Sequence, residues 1–137
     1  MTSTDSSPEP FAADDPRRGV VEQGPDSGTA EGRYEFVDAL CGVATPRGGR
    51  GGAKAVLAND TTKVVTFEFE EGDVLTEHAT RHPVLIQVIR GRIHFDVQDD
   101  RIEMAPGQVI HLTPMLRHAV TALEPTTLTV TMLLPHA

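Results

Sequence analysis

The sequence has no tryptophan and one cysteine, and hydrophobic residues fill only 39% of its 137 positions. A lone Cys41 excludes an internal disulfide. No nucleophile signature surrounds it, so it reads as a buried or idle thiol. So low a hydrophobic share predicts that part of the chain belongs to no core, within a length that suits one domain. No apolar run approaches the roughly 20 residues that span a bilayer. The opening "MTSTDSSPEPFAADDP" is acidic and polar, the reverse of a basic-then-apolar signal peptide. These absences predict a soluble, cytoplasmic protein with no membrane partner.

Basic charge is scarce as well. Twelve Lys and Arg stand against twenty Asp and Glu, giving a formal charge of −8. Such a chain repels phosphate backbones unless it carries a local basic patch. The one candidate, "PRGGRGG" at 46–52, has too few arginines to act as an RNA-binding segment and reads as a flexible loop. No nucleic-acid partner is expected.

Residues 1–33 are rich in Ser, Pro, Asp, Glu, Gly and Thr. They cannot bury enough surface to offset their ordering entropy, so a disordered acidic tail is expected there, followed by one folded domain over 34–137. "YEFVDALCGV", 34–43, fits either a short helix or an edge strand. From Ala53 onward the apolar period becomes two. Val65, Phe67 and Phe69 alternate with Thr66 and Glu68, and Ile93, Phe95 and Val97 alternate with His94 and Asp96. "TLTVTMLL" sets Leu128, Val130, Met132 and Leu134 on one face and threonines on the other. "VLIQVI", 84–89, is apolar on both faces except at Gln87, as suits a central strand. Turn signals at "EEGD", "RG", "QDD", "APG" and "LEP" separate these runs. The pattern predicts an all-β sandwich or small barrel.

The order of these turns resembles the cupin superfamily, a double-stranded β-helix or jelly-roll barrel, over roughly residues 60–134. Its first motif runs from a Gly through His-X-His and a Glu to a second Gly. Here Gly72 leads to His78, and Gly91 closes. Its second motif runs from a Gly turn through a Pro to a His, matched by Gly107, Pro114 and His118. The resemblance implies a metal site on four such positions, but only His78 and His118 match. Thr80 stands at the second His position, Val84 at the Glu position, and Ala122 where an asparagine often follows.

His82 shares the parity of His78 and Thr80, so an extended loop would aim all three into the barrel mouth. A set of His78, His82 and His118 would supply three imidazoles, enough with water for Zn, Fe, Ni or Cu. Against this, His82 precedes Pro83 and fits an ordinary turn. His94 and His111 have undecided faces, and His136 reads as tail. Thr80, Arg81, Gln87 and Arg117 are candidate ligand contacts, with an arginine able to pair with a carboxylate. Glu77 and Arg117 also suit a solvated rim. Gln87, an amide inside an apolar strand, requires hydrogen-bond partners.

The expectation is therefore a barrel that binds a small molecule, with an incomplete metal site. Two alternatives stay open. One is a metal-dependent oxygenase or isomerase using His78, His82 and His118; the other is a sensory or interaction module that engages a partner through its acidic tail. A homodimer is also expected, because open sheet edges such as "AKAVLA" at 53–58 need covering and the apolar side of "TLTVTMLL" could pack between subunits.

Overall fold

The computed structural model describes residues 12–134. It divides into two compact units, Met1–Tyr34 and Glu35–Ala137. Over 12–34 the first unit carries turns and bends but no helix or strand, with almost every side chain exposed. Residues 1–11 of the expected tail lie outside the described residues, as does His136. Residues 34–43 form neither a helix nor a strand, and Cys41 is exposed. No helix among the described residues is long and apolar enough to cross a membrane.

The second unit is all-β. Its strands are β1 (Gly52–Ala58), β2 (Thr62–Phe69), β3 (Val74–His78), β4 (Val84–Arg90), β5 (Ile93–Val97), β6 (Asp100–Met104), β7 (Val109–Leu112), β8 (His118–Ala122) and β9 (Thr126–Leu133). They form a five-stranded sheet ordered β1-β2-β9-β4-β7 and a four-stranded sheet ordered β3-β8-β5-β6. Each strand pair in both sheets is antiparallel.

Alternation explains why the sheets face each other. Val65 pairs with Val130, which pairs with Ile86; Phe67 pairs with Leu128, which pairs with Val88. Side chains on one face of adjacent strands align in rows, so these residues form an apolar wall three strands wide. The other sheet answers with Ile93, Phe95, Val97, Met104, Val120 and Ala122, all buried. The even side of β9 is thus spent inside the barrel, with Leu128 at 0% and Val130 at 8% exposure. It is not the intersubunit surface that the sequence suggested. "VLIQVI" is indeed interior to its sheet, between β9 and β7. Gly91, at φ +90°, carries the chain from β4 to β5, and a side chain there would collide with Thr126 Oγ1 and the Pro125 carbonyl. Only glycine combines that backbone angle with that approach.

The opposite face of the five-stranded sheet is less wet than its threonines imply. Thr66, Thr127 and Thr129 are buried there, and so is Glu68. The Glu68 carboxylate accepts from Thr127 Oγ1 at 2.5 Å, from the Gly42 N–H at 2.8 Å and from Arg90 Nη2 at 3.3 Å. Arg90 Nε in turn donates to Thr127 Oγ1 at 3.0 Å. A buried carboxylate persists only when its lone pairs are met this way. The cluster ties β2, β9 and β4 together and fixes the segment around Gly42 to their outer side.

Glu68→Ala should therefore lower unfolding stability by about 2 kcal/mol, because it strands a buried hydroxyl and a backbone N–H. Urea denaturation measures this. A loss below about 0.5 kcal/mol, ordinary for a surface substitution, would show that the cluster contributes little.

Candidate binding site: a histidine pair inside the barrel

β3 ends at His78 and β8 begins at His118, and the two residues are direct partners across the ladder. Opposed antiparallel residues carry their side chains to the same face at close range. The imidazole centroids consequently lie 4.2 Å apart, tilted by 60°. Behind the pair, Phe95 on β5 stacks on His118 at 5.5 Å and 16°. Strand pairing thus delivers two residues separated by forty positions to one point.

Each ring is anchored through the same atom. His78 Nδ1 lies 2.9 Å from the Thr76 carbonyl oxygen, and His118 Nδ1 lies 3.0 Å from that of Leu116. A carbonyl can only accept, so Nδ1 carries the hydrogen in both rings. In the neutral imidazole this leaves Nε2 as an acceptor. Neither Nε2 has a hydrogen-bond partner among the described residues. His118 is only 3% exposed. Burial pushes its pKa below the ordinary imidazole value, the Leu116 carbonyl opposes that shift, and nearby His78 adds to it.

The pair faces a cavity of about 160 Å³ between the sheets. One wall is Val65, Phe67, Ile86, Leu128, Val130 and Met132; the other is Leu75, Val120 and the two histidines, with Thr80 at the β3–β4 loop. Apart from the imidazoles, the one polar side chain among the described lining residues is Thr80, whose hydroxyl donates to the His82 carbonyl at 3.1 Å. The Thr80 carbonyl accepts from the Met115 N–H at 2.7 Å, which joins the β3–β4 and β7–β8 loops beside the cavity. Met115 is exposed and holds φ +67°, an uncommon angle for a residue with a side chain.

Of the residues singled out in the sequence, His78, His118 and Thr80 come together. His82 is half-buried and does not line the cavity, because the chain bends at 81–82 instead of staying extended. Arg81, Arg117 and Glu77 are exposed or at the rim and do not line it either. Gln87 is a correction: it lies exposed on the outer face of β4, while Val84, Ile86 and Val88 take the inner one. Strand parity also turns His111 outward, across from Leu85, and puts His94 beside Glu103 on the outside of the other sheet. Sequence reading missed Leu75 and Val120 as lining residues. Val120 shares the parity of His118, a signal that could have found it. A register shift between Leu75 and His78 hides Leu75 from the same reasoning.

The donor set can be tested against the metal that the resemblance implies. Among the described residues no group of three or more His, Cys, Asp or Glu side chains is placed to hold an ion. Two imidazoles fall short of the three protein ligands of a catalytic site, and fully buried Val84, at the Glu position, offers none. The described residues do not fit a tightly held metal.

No protein-family profile matches the chain, and no curated protein matches it by sequence. Many solved structures match it by shape. An RmlC-like cupin protein from Desulfovibrio desulfuricans is 22% identical, with a TM-score of 0.61 over 74% of this chain and 95% of that one. A double-stranded β-helix protein from Klebsiella pneumoniae is 20% identical, at 0.62 over 75% and 90%. KdgF from Halomonas sp. is 21% identical, at 0.60 over 66% and 84%. At such identities the likeness shows the fold alone.

Two outcomes follow from this geometry. His118 is held neutral, its folded pKa lying below the ordinary value of 6.5. Its stabilisation is therefore complete above pH 6.5 and is lost as pH falls through the lower folded value. Urea unfolding of the parent should weaken on acidification from about pH 7 to about pH 5, and His118→Phe should flatten that decline. Identical slopes would remove His118 from the acid response. Secondly, the parent should lose Zn²⁺ on dialysis, whereas Thr80→His with Val84→Glu should retain about one equivalent by completing four ligands. A full equivalent kept by the parent would show that another residue joins the pair.

Proposed function

We propose that this chain, which has the cupin fold, binds a small molecule inside its barrel, at the cavity that His78 and His118 close. The observation that supports this reading is the state of His118. It is a buried imidazole whose Nδ1 is satisfied by a backbone carbonyl two residues away and whose Nε2 has no hydrogen-bond donor among the described residues. Buried polar atoms ordinarily find a partner, and this one has only the cavity to supply it.

The surrounding wall is apolar, so the energy of binding comes from contact area and its orientation from the histidine edge. That division is typical of small-molecule sites. The cavity is smaller than the roughly 300 Å³ at which drug-sized sites begin, so the ligand is a compact one. The charges of Arg81, Arg117 and Glu77 serve solvation or approach rather than the interior. A metal-dependent enzyme would need a third ligand that the described lining does not contain, which makes it the second reading.

A thermal-shift screen of compact molecules against the full chain tests the proposal. A ligand at about a hundred times its dissociation constant stabilises by about 2.7 kcal/mol, which corresponds to a rise of roughly 10 °C or more for a domain of this size. Leu75→Phe should fill the cavity and abolish the shift for the same compounds. Hits that stabilise the parent and Leu75→Phe equally would place binding elsewhere and defeat the reading.

A further inference from the structure

The cavity also restricts the chemistry of its occupant, an inference that rests on the binding role proposed above. We propose that it selects uncharged, single-ring molecules of phenol size that carry one hydroxyl group.

Size comes first. An apolar protein cavity of about 150 Å³ holds one benzene molecule, and this one is about 160 Å³. A single six-membered ring with one small substituent fills it. Two rings do not enter without moving β3 or β9.

Charge comes next. Among the described residues, no Lys, Arg, Asp or Glu lines the cavity. Transfer of an ammonium or a carboxylate into an apolar space without a counter-charge is strongly unfavourable. A carboxylate is further disfavoured because both anchored imidazoles present lone pairs, not hydrogens. Arg81 and Arg117 do not line the cavity and cannot compensate.

The direction of hydrogen bonding then follows. The ligand must donate. His78 is half-buried and can take a hydrogen from solvent, while His118 at 3% exposure cannot. One buried acceptor requires one donor, which a hydroxyl provides. Water is a poor substitute: each molecule takes about 30 Å³ and needs two to four polar partners, so this space would hold several waters with almost nothing to bind them.

Titration calorimetry on the full chain, kept in chelator, compares benzene, phenol, benzoate and benzylammonium. Phenol should bind at least tenfold more tightly than benzene, and the two ions at least a hundredfold more weakly than phenol. On adding phenol, but not benzene, the His118 Nε2 nitrogen resonance should shift. His118→Leu should bring the phenol-to-benzene affinity ratio close to one, and the parent's own ratio decides the matter if that variant does not fold. Equal affinity for benzene and phenol would overturn the hydroxyl requirement while leaving a binding cavity in place. Benzoate or benzylammonium binding as well as phenol would overturn the exclusion of charge. Failure of all four to bind would overturn this inference; the compact-molecule screen with Leu75→Phe decides the binding role separately.

Discussion

β9 is the strand on which the rest of the barrel depends. It is hydrogen-bonded along both edges, to β2 and β4, and over most of its length it is buried on both faces. One face contributes Leu128, Val130 and Met132 to the cavity wall, and the other contributes threonines. Threonine solves a particular problem there. Its branched Cβ suits a strand, and its hydroxyl can satisfy a buried acid from within the sheet. Thr127 does this for Glu68, which lets a carboxylate sit at 5% exposure and hold the Gly42 segment. Interior shape and outer covering are therefore set by alternate residues of a single strand.

The same alternation governs how much of the fold is legible in the residues themselves. Strands with strict period two, such as Val65-Phe67-Phe69 and Ile93-Phe95-Val97, declare their inner face, and all six residues pack where their parity requires. Gly72, Gly91 and Gly107 mark real turns, each with positive φ. Parity fails where a strand is apolar on both sides. Around Gln87 the sequence shows only that an amide lies among hydrophobic residues, and the face it takes depends on register with β7 and β9. It fails again outside strands. His82 shares its parity with His78, but the bend at 81–82 cancels the alternation between them. Glu68 is legible as a strand residue but not as a buried one, because its covering segment has no periodic signal.

Of the four positions that the cupin resemblance sets out, the first and last hold histidines and the two between them hold no ligating side chain. His78 and His118 meet because they are ladder partners, a relation set by backbone pairing. Their Nδ1 anchors are also backbone carbonyls. The two intermediate positions, Thr80 and Val84, instead serve loop geometry and the core. Thr80 bridges to the His82 carbonyl, and Val84 is buried at 0% exposure. The described side chains there enclose an apolar chamber with two imidazoles at one edge.

The long-range union of β2 with β9 also governs how the molecule is made. Glu68 and Thr127 are 59 positions apart, and every rung of that ladder spans a comparable loop. Closing such loops is entropically slow, and β topologies of this kind fold in milliseconds to seconds. A chain emerging from the ribosome therefore exposes one edge of β2 throughout the synthesis of β3 to β8. β2 carries one basic residue, Lys63, and a lysine on an open strand edge opposes association with another strand.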